Sequence, residues 1–346
     1  MGEEVFLILS LLNIRGLGPI KITKLIQNEG EAEFFLARCP SRDQAKKAAE
    51  KEIQLAHKLN VKLIPFTSEL YPSKLLELKD FPPLLYIAGH LDKDSQGVAI
   101  IGTRQATPYG LEMGERFGAY LAEEGYAVIS GLARGIDTSA HRGALKTGKT
   151  IAIVGSGLAN LYPSENKELA RRIAQNGALI SELPLHNPPN AYNFPRRNRL
   201  VSALAEALVL IEAPLKSGAM GTMTLGKEMN RPLFALPGRA GSENYRGSHA
   251  LIKSCAARLV ESPEDVILAL GGTPKAKIAA QRANPSDEEA RFLSFFSDDD
   301  ISLDALAVRT SLPTHTLNVV LMRLLMKGYI KELPGKRYRK LEAIFP

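Results

Sequence analysis

Tryptophan is missing altogether from these 346 residues, and cysteine occurs only twice, at Cys39 and Cys255. Two thiols so far apart in sequence form neither a disulfide framework nor a paired metal-ligand spacing, which argues against a cystine scaffold and structural zinc and for a reducing compartment. Long apolar runs are lacking too: no stretch approaches the ~20 residues that span a bilayer. The first apolar run, VFLILSLLNI, follows Glu3 and Glu4, where a secretory leader would carry basic residues. These gaps describe a soluble, cytoplasmic chain with no membrane partner. Several chemical signatures are also absent. There is no GxxxxGK[ST] phosphate loop, no HExxH and no nucleophile-elbow serine, and IVGSGLAN lacks the third glycine of the dinucleotide fingerprint. ATP and NAD are thereby disfavoured, and neither cofactor nor metal is expected. The six histidines are scattered, each better read as structural than as catalytic.

Charge of one sign is in excess. A formal charge of +7 favours a polyanionic partner, although a modest basic surplus alone does not identify one. A hydrophobic content of 45% supplies a core for more than one domain. Residues 1–59 read as short helices, with Gly16-Leu17-Gly18-Pro19 between apolar segments and an Ala/Lys/Glu-rich stretch after them. Residues 60–270 change rhythm: β-branched runs such as VAIIG, YAVISG, TIAIVGSG and ALVLIEA alternate with helix-length amphipathic segments. That alternation predicts an α/β fold, a Rossmann-like core with a mostly parallel sheet, and VKLIPF and PPLLYIAG are its edge or entry strands. GGTPKAKIAAQRANPS, residues 271–286, suits a linker. Residues 287–346 then give three helical patterns and a hairpin turning at Pro334-Gly335, the layout of a winged helix.

Glycines punctuate the ends of the predicted strands: Gly102 in IIGTR, Gly131 and Gly135 in SGLARGID, Gly218 in SGAMGT. In an open parallel sheet those ends share one crevice, and each following helix offers it free N–H groups and a positive dipole end. Such a helix end contributes only about 0.3–1 kcal/mol when exposed, so an anion site also needs cationic side chains. Arg104, Arg134, Arg196, Arg197 and Arg199 all lie beside these turns, the last three in the single run FPRRNRL, and are expected to converge on one rim. The competing reading is that the glycines only permit tight turns and that one or more arginines pair with Glu182 or Glu212. Asp137 and His141, four apart, read as a helix-start hydrogen bond before an acid/base pair. RGLGPIKITKLI has a helix-hairpin-helix pattern, either a phosphate contact helped by Lys21 and Lys24 or a plain bundle turn.

The strings GTRQATPYG, SGLARGIDTSAHRGAL, GKTIAIVGSGLANLYP, SELP, FPRRNRL, EAPLKSGAMGT and LFALPG occur in this order over roughly residues 60–260. Together they resemble the DNA-processing protein A (DprA/Smf) family. The resemblance implies a non-catalytic protein that binds single-stranded DNA, forms a homodimer through its core and loads RecA recombinase during natural transformation. Carried over residue by residue, it implies DNA or phosphate contacts at Gly102, Thr103 and Arg104, at Ser130, Gly131, Arg134 and Gly135, and in a basic loop of Arg196, Arg197, Asn198 and Arg199. Ser217 and Gly218 belong to the same set. Relatives often carry a lysine directly after Tyr-Pro; here Ser164 follows Pro163 and Lys167 is the substitute one turn later. Phe194 and Tyr192 are candidate stacking platforms. A second reading is an enzyme: nucleoside monophosphate phosphoribohydrolases share the fold and a PGGxGTxxE stretch that SGAMGTMTLGKE partly echoes. In that echo the acid position is Thr224, with Glu228 a turn beyond. A third places the main DNA reader in the winged helix, whose recognition helix carries Arg323 and Lys327 and whose hairpin carries Lys331, Lys336, Arg337, Arg339 and Lys340; a protein-docking role stays equally open.

Overall fold

The computed structural model describes residues 2–28, 30–274, 285–296, 300–327, 329–333 and 335–340, and the chain divides into two compact units, 1–274 and 275–346. The first unit opens with four helices, α1 (Gly2–Leu12), α2 (Pro19–Gln27), α3 (Glu31–Ala37) and α4 (Arg42–Lys58). Pro19 begins α2, where its missing N–H costs nothing, and Gly16 makes the preceding turn at φ 82°. In α4 the Ala/Lys/Glu composition favours helix, and Ala45, Ala49 and Ala56 form the thin buried stripe that lets it lie close to its neighbours. Apolar side chains of α1, such as Ile8, Leu9 and Leu11, share one buried cluster with Leu84, Leu85, Ile153 and Ile180 of the sheet. Glu52 of α4 also accepts the Leu185 amide at 2.6 Å, so the helices are tied to the sheet side by polar contact as well.

Strands β1 (Val61–Pro65), β2 (Leu84–Gly89), β3 (Gly97–Ile101), β4 (Ala127–Ser130), β5 (Thr150–Ile153), β6 (Ala178–Ser181), β7 (Ala207–Leu210), β8 (Leu233–Ala235) and β9 (Arg258–Leu259) form one sheet in the order β1-β2-β6-β5-β4-β3-β7-β8-β9. Pairing is parallel from β6 to β9 and antiparallel only at β1–β2 and β2–β6. β1 is therefore an edge strand, as read from the sequence, and β2 joins it to the parallel core. Strands β3 to β8 are buried along their whole length because helices cover both faces, which is why they read as unbroken apolar runs. The crossovers are α5 (Pro108–Glu123), α6 (Ile136–Thr147), α7 (Lys167–Asn176), α8 (Asn193–Leu204), α9 (Gly218–Glu228) and α10 (Arg246–Lys253), and α11 (Pro263–Ala269) closes the unit behind a Ser262 capping box. Helices α5 and α6 meet along a seam of small residues. A Cβ at Gly118 or Gly143 would collide with backbone of the facing helix, at Ala140 and Glu115 respectively.

The second unit contains α12 (Asp287–Leu293), β10 (Ile301–Ser302), α13 (Leu303–Thr310), α14 (Thr314–Met326), β11 (Ile330–Leu333) and β12 (Arg337–Lys340), with sheet order β10-β12-β11. Leu306, Leu317, Leu321, Leu324 and Tyr338 fill its own core. This is the expected winged helix. Most of the expected linker, residues 275–284, lies outside the described residues, as does Pro334 of the expected hairpin turn.

Candidate nucleic-acid interface

The chain runs β3-β4-β5-β6 towards one edge and then returns to β7 beside β3, so the strand order reverses there. Open α/β sheets bind ligands outside the carboxyl ends of the strands at that reversal. Here it opens into a cavity of about 790 Å³ lined by Ile101 at the end of β3 and residues 102–105 after it, parts of the loop after β4, Pro214 and residues 216–219 after β7, and the start of α8.

FPRRNRL is not a loop. It forms the first two turns of α8, and Pro195 is tolerated there because first-turn amides have no helical partner to lose. Successive helical residues point about 100° apart, so the three arginines diverge. Arg197 turns inward: it is 5% exposed, donates through Nη1 to the Ile153 carbonyl, and donates through Nε to Asn198 Oδ1 at 3.2 Å. Burial, with Arg104 adding to it and Asp137 opposing, lowers its pKa to about 10, so it stays charged at neutral pH. Arg199 is also buried, with Nη2 2.5 Å from Glu182 Oε2 and Nε 3.2 Å from Asp80 Oδ2. Arg196 shares the same Glu182 oxygen at 3.1 Å and keeps part of its surface in solvent. The expected convergence thus holds for Arg104 and Arg197, which line the main cavity, and for Arg134, which joins both at an adjoining recess. Ion pairing takes Arg199 entirely and Arg196 partly, and it runs through Glu182, not Glu212.

Arg104 is exposed at the cavity mouth, its guanidinium 5.2 Å from the centroid of the Phe194 ring. Phe194 in turn lies 5.7 Å from Tyr162, giving a small aromatic shelf. Arg134 lines an adjoining recess with Arg104 and Tyr162 and is ion-paired to Glu165. Thr103, Ser217, Gly218 and Asn198 line the main cavity. Ser130 does not: its hydroxyl is buried and donates to the Ile100 carbonyl at 2.7 Å. Lys167 begins α7, exposed and away from the lining.

The glycines divide likewise. A Cβ at Gly131 would project into the Arg197 guanidinium and force that side chain to shift, and Gly135 (φ 74°) packs against the Thr103 carbonyl. A Cβ at Gly102 would meet Ile136 and the Glu212 carbonyl, whereas Gly218 has open space around it. Helix starts differ in the same way. Thr107 caps α5 by accepting the Gly110 amide at 3.0 Å, and the first amide of α6 donates to the Thr103 carbonyl at 3.3 Å. At α9 the Ser217 hydroxyl reaches only the Met220 amide, at 3.4 Å, so the end that faces the cavity retains free donors. Of the three, α9 is the open anion-facing terminus.

Asp137 and His141 do not bond each other. The Asp137 carboxylate accepts the Gly131 amide at 3.1 Å and the Ala133 amide at 3.3 Å, bracing a loop in which Leu132 holds φ 59°. Its pKa is raised by burial, against the pull of Arg197. His141 Nδ1 lies 2.7 Å from Thr150 Oγ1, which itself donates to the Val128 carbonyl, so the ring donates there. Burial, then Arg197, lowers the His141 pKa to about 3. An unfolded histidine titrates near 6.5, so the folded state loses stability as pH falls from about 6.5 towards 3 while keeping it in full above that window. Melting temperatures measured between about pH 7.5 and 5.5 should fall more steeply for the parent than for His141→Gln, which has no such proton to take up.

Sequence reasoning missed Lys216 and Gln105, both exposed on the cavity lining. Lys216 directly precedes the Ser217 N-cap, a position that could have been flagged as a cation beside an anion-facing helix start. It also missed Asn166, whose amide donates to the Leu132 carbonyl at 2.9 Å and supports the loop after β4. Glu228 stands at the far end of α9, ten residues or about 15 Å from Gly218. In the winged helix Lys327 pairs with Glu289 and Arg339 with Asp300, while α14 presents exposed Val319 and Met322 beside Arg323.

The model of the family described as DNA recombination-mediator protein A matches residues 62–271. The chain belongs to that family. A DprA winged helix domain model also matches residues 275–336. Protein Smf of Escherichia coli is 36% identical over 309 residues, 86% of this chain and 82% of its own length. The crystal structure of DprA from Streptococcus pneumoniae superposes with a TM-score of 0.61 at 30% identity, covering 77% of this chain and 92% of that one. DprA from Helicobacter pylori, whose structure concerns its single-stranded DNA binding mode, gives a TM-score of 0.56 at 33% identity over 60% of this chain and 95% of that one. Membership of the DNA recombination-mediator family agrees with a cavity whose exposed polar side chains come mainly from the loops after β3 and β7.

Proposed function

We propose that this protein binds single-stranded DNA without regard to sequence, at the cavity beyond the carboxyl ends of β3 and β7, and performs no covalent chemistry on it. The observation that carries the reading is the pairing of Arg104, stacked on Phe194, with the open α9 terminus beside Lys216 on the same cavity. A guanidinium on an aromatic face holds a phosphate while presenting a ring to a base, which is how sequence-tolerant strand binding arises. Thr103, Asn198, Ser217 and Gly218 complete the contact set, with Gly131, Gly135 and Arg197 shaping its floor. Arg134 serves at the adjoining recess; Lys167 and Ser130 drop out of direct contact. The solved Helicobacter pylori relative concerns single-stranded DNA as well, which supports the same ligand.

Against the phosphoribohydrolase alternative stands the position of the acids. Glu228 is remote, and Asp137, the one acidic side chain lining the cavity among the described residues, is buried and committed to backbone amides. In the cell, the family resemblance supports a cytoplasmic homodimer joined through the core that delivers DNA to RecA recombinase during transformation. The test is a binding series with single-stranded, duplex and tailed DNA at two salt concentrations. Single strands should bind most tightly, with a log–log salt slope of about 0.7 per phosphate neutralised. A preference for duplex, or release of free base from AMP or GMP, rejects the reading.

A further inference from the structure

On the other side of α8 from the main cavity lies a second groove of about 590 Å³, bounded by Pro19, Lys21 and Lys24 of α2, Asp80, and Tyr192 and Arg196 at the start of α8. Resting on the DNA-binding reading above, we infer that this groove continues the same strand-binding track, so that DNA leaving the Arg104 site passes over the start of α8 and onto the amino-terminal helices. The register of α8 makes the continuity. Phe194, Pro195 and Asn198 face the main cavity, whereas Tyr192 and Arg196, four residues apart, face the second groove. One helix start is the wall between the two.

The groove has the chemistry of a sugar-phosphate track. Lys21 and Lys24 are exposed and carry no ion pair among the described residues, and Lys21 lies 5.2 Å from the Phe35 ring. Arg196 offers its exposed part, its remaining donor being on Glu182. The acid in the groove, Asp80, is neutralised by Arg199 at 3.2 Å. Tyr192 is 67% exposed, far more than a core aromatic, and makes no ring contact among the described residues, which leaves a face on which a base stacks. Cations flanking an unpartnered ring, continuous with a strand site, fit a polyanion with stackable bases better than an acidic peptide. The two sides are also fixed to one another, through the Glu52 bond to Leu185 and the apolar cluster that spans α1 and the sheet.

Length dependence tests it. Binding of oligothymidylates of about 6 and about 20 nucleotides is compared for the parent, Lys21→Ala/Lys24→Ala, Tyr192→Ala and Arg104→Ala. The double variant should bind the short strand as the parent does, and lose about 10-fold on the long strand with a salt slope lower by about 1.4, two phosphates at about 0.7 each. Tyr192→Ala should weaken only the long strand without changing the slope. Arg104→Ala should weaken both lengths. Unchanged long-strand binding by the lysine and tyrosine variants, with Arg104→Ala still defective, overturns the second groove and leaves the first site standing. Equal loss on both lengths for the lysine variant also overturns it. If Arg104→Ala binds both strands as the parent does, the underlying site is itself wrong. The substituted side chains, Lys21, Lys24, Tyr192 and Arg104, are all exposed, and matching melting temperatures confirm that the variants fold.

Discussion

Replacing Glu182 with alanine is expected to destabilise the protein by about 3–5 kcal/mol. Its carboxylate is nearly buried and takes two guanidinium groups on one oxygen, Arg199 at 2.5 Å and Arg196 at 3.1 Å. Burial raises its pKa, and Arg199 and then Arg196 pull it back. Removing it leaves Arg199 inside the protein with the half-exposed Asp80, 3.2 Å from Nε, as its remaining counter-charge and with Nη1 lacking a hydrogen bond. A buried cation that loses its buried partner and keeps only a half-exposed one is costlier than a pair never made. Arg196 can turn to water and mitigates little of this. Chemical denaturation of the variant and of Glu182→Gln should show the amide intermediate between alanine and parent. Apolar replacement of Glu182 and Arg199 together should recover much of the loss, because the desolvation cost of both charges disappears. A Glu182→Ala variant as stable as the parent would show that the pair contributes nothing.

Arg104→Ala is expected to weaken single-strand binding by about 10- to 150-fold, the ratio for one charge-assisted contact of about 1.5–3 kcal/mol, and to lower the salt slope by about 0.7. Its stability should match the parent, since the side chain is exposed and its contact is the Phe194 face. Arg104→Lys should keep the slope and lose part of the affinity, because an ammonium neutralises phosphate but does not lie flat on a ring. The contrast is Arg199→Ala, which should lower stability and leave the salt slope of the folded protein unchanged. Fluorescence anisotropy with labelled oligonucleotides at several salt concentrations measures both quantities. If Arg104→Ala retains parental affinity and slope, strand contact is elsewhere on the molecule.

The architecture was readable because buried parallel strands leave an unmistakable mark: TIAI, ALVL and ALIS are apolar on both faces. β9, two exposed residues at the sheet edge, carries no such mark and was not foreseen. The fate of each arginine was not readable, for a geometric reason. Once FPRRNRL is helical, one residue of register decides whether a guanidinium faces a cavity, a second groove or the interior, and the prolines before and within it, Pro188, Pro189 and Pro195, disguise the helix as a loop. Glycines misled in the same way. Gly131 and Gly218 look alike as residues after strands, yet one makes room for Arg197 and the other stands open at a helix start. The partner that requires a glycine is far away in sequence, and only the folded chain brings it near.

The tight seam between α5 and α6 bears on the proposed acceptance of bases of every kind. Helices whose backbones touch have no slack to slide, so the floor beneath the strand ends is a stiff anvil. Purines and pyrimidines then meet an unchanging surface, and the supple polymer does the adjusting. If the proposed strand binding holds, indifference to base identity would originate in the immobility of the host.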